Sequence, residues 1–329
     1  MTAVKPIRVA VAGAAGNIGY SLVFRIAAGG LFGPDQPVAL QLLELHHALP
    51  QLEACAMELH DSAYPLLAGL TIGTDSREIF RGADWIILLG GKPLSRETPD
   101  RIDLLRTNAL TMVEQGRAIN QAAPTARVLV VAQPCNTNCL IALSQAKDVP
   151  KEHWFAMNRL PWLRAVSMVA EKTNVGVSQI SRVTVWGNTS RTAFIDVRHA
   201  LVGDKPVLEA IGDSEWITKV MEPTVVGRDR EFLKVRGTTP AGSVAQAILG
   251  TIRSITIPTL YERWFPACVV SDGSYGIPRG LVFGLPVVTR DGQTWSIVDD
   301  LYLDETACER IAANVAELEH ESLVISHLL

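Results

Sequence analysis

A chain of 329 residues with 48% hydrophobic content carries enough apolar surface for a large core and for two lobes. Its net charge of −4 and pI near 6.0 give no general attraction to nucleic acid or to an anionic membrane, so neither is expected as a partner. No apolar run reaches the length of a membrane span, and MTAVKPIRVAVAG enters a strand pattern at once, so a cytoplasmic chain without signal or transit peptide is expected.

The pattern IRVAVAGAAGNIGYSLVFRIAAGG opens the chain in order. Ile7 to Ala12 predicts a short buried strand, too short and too β-branched for a helix. Gly13-Ala14-Ala15-Gly16-Asn17-Ile18-Gly19 follows, and then a helical pattern from Tyr20 to Ala28. Strand, glycine turn and helix in that order are the context of a dinucleotide fingerprint. Gly13 allows the tight turn, Gly16 lets the backbone approach a pyrophosphate, and Gly19 lets the helix pack close to the strand. The bland alternative is a strand–turn–helix whose glycines serve packing alone. A second strand, Val38 to Leu43, ends at Glu44, an acid placed to take the two ribose hydroxyls of an adenosine.

His46 and His47 come next; adjacent histidines point in different directions on any element, so no shared metal is expected. A helix is predicted from about Ala48 to Leu67, then strands Leu70 to Gly73 and Trp85 to Leu89, the latter ending at Gly90-Gly91. The polar segment Lys92 to Ile102, KPLSRETPDRI, lies just beyond a strand's carboxyl end, where a doubly wound sheet binds ligands. It reads as a closing lid or as a plain surface loop. A long helix from Leu104 to Ala122 and a buried strand from Arg127 to Val131 lead to the polar turn Gln133–Asn138. There Asn136 or Thr137 is expected to cap a helix from Cys139 to Ala146. Strands alternating with helices predict a parallel sheet with right-handed crossovers.

The second half changes character. It predicts a helix at Trp162–Lys172, strands at Val183–Trp186 and Ala193–Leu201, and helices at Ser214–Leu233 and Ala241–Ser254. Strands Ala267–Ser271, Leu281–Val288 and Trp295–Val298 and a helix starting at Asp304 complete it. The fold class is α/β: a doubly wound parallel sheet over residues 1–155, followed by an α+β lobe over 156–329. Cysteines 55, 135, 139, 268 and 308 are odd in number and lack metal-ligand spacing, so reduced thiols are expected.

With these motifs in view, the chain resembles the malate dehydrogenases of the lactate/malate dehydrogenase superfamily, in their cytosolic type. The likeness rests on VAGAAGNIGYSLVFRIA, QLLEL, AYPLLAGL, DRIDLLRTNA, QGRAIN, QPCNTNCLIA, VTVWGNTS and SDGSYGIPRGLVFGLPV, in order and over essentially the whole length. The resemblance implies a Rossmann domain binding NAD, a substrate lobe, a small anionic substrate and a homodimer. It implies cofactor contacts at Gly13, Gly16, Asn17, Ile18, Gly19, Glu44, Gly90, Lys92, Asn108 and Gln133, with the acid Glu44 favouring NAD over NADP. No metal is implied.

The resemblance breaks at the chemistry. The family's proton-carrying histidine sits in a segment matching WGNTS, where this chain has Thr189. The aspartate that orients it falls at Pro161 in RLPWLR, while the arginine three residues later is kept as Arg164. A partly buried aspartate without its imidazolium is an unpaired charge worth roughly 3–5 kcal/mol of destabilisation, so the two losses belong together. Gln133 stands for the family's asparagine before proline. Arg101 matches the arginine that polarises the reacting carbonyl. The arginine for malate's distal carboxylate falls near Leu94, with Arg96 as a substitute. Arg164 and Arg101 remain to grip an anion, unless they serve as plain surface ion pairs.

Thr189, Arg101, Arg164 and Gln133 are therefore the expected reaction-centre residues, and Arg96, Arg101, Arg164 and Thr189 the expected substrate contacts. Thr189 donates a hydrogen bond but does not ionise usefully at neutral pH, and losing a general acid costs about 10²–10⁴ in rate. Cys135 is expected to be an inert buried thiol rather than a nucleophile. Two function classes follow. One is an NAD-dependent oxidoreductase on a small carboxylate or phosphonate substrate other than malate, such as an aldehyde or an imine, with a place in a specialised biosynthetic pathway. The other is a catalytically inactive NAD-binding paralogue with a binding or regulatory role. Non-redox chemistry on a bound anion is a third option.

Overall fold

The structure is a computed structural model that describes residues 4–92, 100–260 and 263–329. Two compact units emerge: residues 1–156, 240–253 and 323–329 form the first, and 157–239 and 254–322 the second.

In the first unit the chain runs β1 (Ile7–Ala12), α1 (Asn17–Ala27), β2 (Val38–Leu43), α2 (Leu49–Asp61), β3 (Leu67–Gly73) and α3 (Ser76–Ile79). It continues through β4 (Trp85–Leu88), α4 (Arg101–Ala122), β5 (Arg127–Val130), α5 (Cys135–Ser144) and β6 (Trp154–Ala156). All six strands pair in parallel, in the order β6-β5-β4-β1-β2-β3. The winding reverses between β1 and β4, and the carboxyl ends of strands at such a reversal form a crevice for ligands. Val9, Ala10, Val11, Ile86, Ile87, Leu129 and Val130 are fully buried, as the unbroken apolar runs of a sheet covered on both faces require.

Several helix boundaries move from those expected. α1 begins at Asn17, inside the glycine turn. α2 stops at Asp61; Ala63 has φ +47° and Pro65 follows, so the chain cannot continue as a helix and enters β3 by Leu67. α4 starts at Arg101, because the Asp100 carboxylate accepts from the backbone N–H of Ile102 at 2.8 Å and of Asp103 at 3.2 Å. α3, absent from the sequence reading, is capped in the same way by Asp75, which accepts from Arg77 and Glu78. One expectation is overturned. α5 starts at Cys135 with Pro134 before it, so Asn136 and Thr137 lie within its first turn and neither caps it.

The second unit contains α6 (Arg159–Thr173), β7 (Ile180–Ser181), β8 (Thr184–Trp186), β9 (Phe194–Asp196), β10 (Leu201–Val202) and β11 (Lys205–Pro206). Next come α7 (Val207–Ile211), α8 (Ser214–Trp216), α9 (Glu222–Arg236) and α10 (Gly242–Thr256), the last lying in the first unit as far as Arg253. The strands β12 (Phe265–Val270), β13 (Val282–Thr289) and β14 (Trp295–Ile297) and the helix α11 (Glu305–Val324) complete it. β8 and β9 form one antiparallel pair, β10 joins β7 and β11, and β12, β13 and β14 form an antiparallel meander. The strand expected over Ala193–Leu201 is broken in two, because Asp196 turns the chain by accepting from the N–H of Arg198 at 3.0 Å. The helix expected over Ser214–Leu233 is interrupted by a π-helical turn, Ile217–Met221, directly before Glu222-Pro223. Among the described residues no helix is long and apolar enough to cross a membrane.

A buried ion pair braces this unit. Asp196 is 2% exposed and receives Arg198 Nε at 2.9 Å, Arg198 Nη2 at 2.7 Å and Trp186 Nε1 at 3.0 Å, while Arg198 Nη1 reaches Asp304 at 2.7 Å. Burial pushes the Asp196 carboxyl up, but the bonds from Arg198 and Trp186 outweigh it and hold the group below its ordinary value. A depressed native pKa contributes stability that is complete above about pH 4 and is lost as pH falls through the native value. Asp196→Asn is expected to lower unfolding free energy at pH 7 by roughly 3 kcal/mol. Urea titrations should find this gap narrowing toward pH 3, and a gap that stays constant with pH would contradict the assignment.

Candidate functional site

The crevice of the first unit is built by the glycine turn. Gly13 has φ +82°, and a Cβ there would lie 2.9 Å from the backbone N of Gly90. A Cβ on Gly19 would lie 2.4 Å from the Gly13 carbonyl oxygen and 2.5 Å from that of Ala14. Both positions exclude side chains for reasons internal to the protein. Gly16 is different. Its φ of −69° suits any residue, it is exposed, and a Cβ there would meet only the Gly13 carbonyl oxygen at 3.4 Å, an ordinary contact. Packing does not require glycine at position 16, and its absent side chain leaves the start of α1 open. Gly16 occupies the N-cap of α1 without a side chain to bond the first-turn N–H groups of Asn17, Ile18 and Gly19. That is the arrangement an anion needs at a helix start.

Glu44 stands at the carboxyl end of β2 and is half-buried. One carboxylate oxygen accepts from the N–H of Ala15 at 3.0 Å and the other from the N–H of Leu45 at 3.1 Å. Each oxygen has a further lone pair, so the group is fixed against the glycine turn and still able to accept two hydroxyls.

On the other side of β1, Gly91 has φ +150°, and a Cβ there would strike the Asn108 amide at 2.9 Å. Asn108 is 1% exposed; its Oδ1 accepts from Lys92 N–H at 2.8 Å, and its Nδ2 donates to the carbonyls of Lys92 at 3.1 Å and Gln133 at 2.9 Å. Both amide hydrogens are thus engaged by the protein. Asn108 is a strut that sets the main chain of Lys92 and Gln133. Lys92 is exposed, Gln133 half-buried, and Arg101 begins α4, also half-buried. Arg96 and most of the expected lid lie outside the described residues. Cys135 is fully buried and donates to the Val131 carbonyl at 3.1 Å.

In the second unit Thr189 lies on the loop after β8, half-buried. The loop is held by two elements, β13 and α11. Gly187 and Gly284 exchange backbone hydrogen bonds at 3.0 and 2.8 Å. Asn314 of α11 accepts from Asn188 N–H at 3.0 Å and donates to Asn188 Oδ1 at 3.2 Å and Thr192 Oγ1 at 3.0 Å. Glu317 accepts from Ser190 Oγ at 2.6 Å and from the Thr192 hydroxyl. Sequence reasoning missed Asn314. The signal was present: it is a polar residue on the buried stripe of α11, with Ala307, Ile311 and Leu318.

Pro161 is buried as the third residue of α6, a first-turn place where no N–H is required. Arg164, one turn on, has its side chain 12% exposed, donates to the Val225 carbonyl at 3.1 Å and pairs with Asp229 of α9. Arg159, also missed, stacks 4.6 Å from the Trp162 ring centre and donates to Ser254 Oγ at 2.8 Å; burial lowers its pKa to about 10.

Residues 7–155 match the lactate/malate dehydrogenase NAD-binding domain, and residues 159–325 the lactate/malate dehydrogenase alpha/beta C-terminal domain. Malate dehydrogenase from Naegleria fowleri is 37% identical, covers 99% of each chain and superposes with a TM-score of 0.93. Trichomonas vaginalis lactate dehydrogenase in complex with NADH and oxamate is 29% identical, with 98% of this chain and 99% of that chain covered and a TM-score of 0.92. Malate dehydrogenase from Plasmodium falciparum, at 18% identity over 98% of this chain and 99% of that one, shares the fold with a TM-score of 0.83.

The contrast between glycines gives a direct test. Gly16→Val is expected to weaken NADH binding at least about tenfold, because it fills the approach to the helix start. Its thermal midpoint should match the parent's. Gly19→Val should instead destabilise the fold by roughly 1–3 kcal/mol, since the helix must move off the turn. Calorimetry with NADH beside thermal unfolding of both variants separates the two roles; equal destabilisation by both would return Gly16 to packing.

Proposed function

The chain belongs to the lactate/malate dehydrogenase family of NAD-dependent oxidoreductases, and within that family we propose that it acts on a small carboxylate or phosphonate substrate other than malate. The observation that carries this reading is the pair Thr189 and Pro161. At the two places where the family resemblance puts the histidine and its aspartate, neither side chain exchanges a proton at neutral pH. NAD supplies the hydride acceptor or donor when bound. The chain's own part is to hold it by the α1 start and Glu44 in the first unit, and to offer an anion the guanidinium of Arg164 in the second. Thr189 then contributes a neutral hydroxyl rather than an acid.

The Trichomonas lactate dehydrogenase structure is a complex with NADH and oxamate, a small carboxylate, which supports a ligand of this size and charge here. Retention of two arginines from different segments favours anion recognition over a vestigial fold. A second reading, an NAD-binding paralogue without turnover, draws on the same Thr189 and Pro161, and the experiment below decides between them.

NADH consumption with oxaloacetate is expected to run at least about 100-fold below that of an ordinary malate dehydrogenase, the loss a missing general acid brings. The double change Thr189→His with Pro161→Asp should recover measurable reduction of 2-oxo acids, and neither change alone should do so, because the imidazole needs its carboxylate for orientation. Rapid oxaloacetate turnover by the unaltered protein would overturn the proposal. A double variant that binds NADH and small acids yet stays inert would favour the non-catalytic reading.

A further inference from the structure

Arg164 reaches its position already neutralised. Its guanidinium offers five N–H donors, of which one goes to the Val225 carbonyl and one to Asp229 Oδ1. Among the described residues the remaining donors have no protein partner, nor does the second carboxylate oxygen of Asp229. The arginine is 12% exposed and the aspartate 47%, so the pair presents unused donors and an unused acceptor side by side at an open edge. The two groups come from separate helices, Arg164 from the second turn of α6 and Asp229 from the middle of α9.

A plain carboxylate settling on Arg164 would have to lie beside a second carboxylate, and like charges at that range oppose binding. A ligand that carries its own cation next to its carboxylate removes the conflict: the carboxylate takes the free guanidinium N–H groups while an ammonium or iminium N–H donates to Asp229. We propose that Asp229 is a specificity-determining residue and that the Arg164–Asp229 pair selects 2-amino or 2-imino carboxylates over unsubstituted acids. This inference rests on the reading of Arg164 as an anion-binding residue and narrows its substrate class. It also fits the neutral Thr189 and Pro161, since an amine or iminium nitrogen brings its own proton.

Calorimetry in saturating NADH, with acids matched in carbon skeleton, tests the assignment: alanine against propionate, and aspartate against succinate. The unaltered protein should bind the amino member of each pair at least about tenfold more tightly. Asp229→Ala should invert the order, weakening the amino acids and strengthening the plain acids, with Asp229→Asn in between. Thermal unfolding of each variant reports that it is folded. A parent that prefers the plain acids, or an Asp229→Ala variant with an unchanged preference, overturns the proposal. If Asp229→Ala and the parent bind plain acids equally well and Arg164→Ala abolishes that binding, the anion site stands and the aspartate's role falls. If no acid binds any of these folded proteins, the reading of Arg164 falls, and this inference with it.

Discussion

The first unit depends on main chain approaching main chain more closely than any side chain permits. Gly13 faces the backbone of Gly90 at the end of β4, and Gly19 faces the carbonyls of Gly13 and Ala14. These contacts fix where α1 begins relative to β1 and bring the loops after β1 and β4 together at the reversal of the sheet. The other features of the crevice hang on that geometry. Glu44 is oriented by the N–H of Ala15, an atom of the same turn, and the Asn108 side-chain amide holds the main chain of Lys92 after β4. Main-chain groups tolerate sequence drift around them, so a cofactor face built in this way outlasts changes in the chemistry beside it.

The second unit solves the same problem with side chains. The loop carrying Thr189 has little apolar surface to anchor it, and buried backbone groups must find partners. Asn314 and Glu317 supply them from α11, and a Cβ at Gly187 would collide with the Asn314 amide at 2.1 Å, so the loop and the helix constrain one another. The network holds one loop conformation where an apolar contact would allow several, although among the described residues Asn188 Nδ2 is buried without a partner.

The contrast explains what was legible in the sequence. A Gly13–Gly19 turn between a β-branched run and an amphipathic stretch encodes its geometry locally, as does the alternation that gives the parallel sheet. Helix starts were read late by about one turn: α1 and α4 begin at Asn17 and Arg101, because the polar first turn carries no apolar period. Asn136 and Thr137 looked like caps because their residue type favours that place, and Pro134 had already set the start of α5. The pairing of Arg164 with Asp229 joins positions 65 residues apart, and that of Asn188 with Asn314 joins positions 126 apart. No local pattern specifies such partners; only the packed helices do.

On the proposed reading, charge matching in the second unit accounts for which residues remain where the relay is absent. Asp196 is buried against Arg198, Glu222 meets Arg310 at 2.7 Å, and Arg164 has Asp229. Arg159, among the described residues, is met by the Ser254 hydroxyl and the Trp162 ring rather than by a carboxylate, and it stays protonated because even a pKa lowered to about 10 lies far above neutrality. A guanidinium is weakly hydrated, spreads its charge and stacks on an aromatic face, so it survives burial without a carboxylate. A carboxylate is a compact, strongly hydrated charge and does not. On the proposed reading this asymmetry selects the observed pattern. Position 161, buried in the first turn of α6, cannot keep an acid once the imidazolium opposite is gone, and a proline fits there without needing an N–H. Arg164, three residues on, remains, paired with Asp229 of α9.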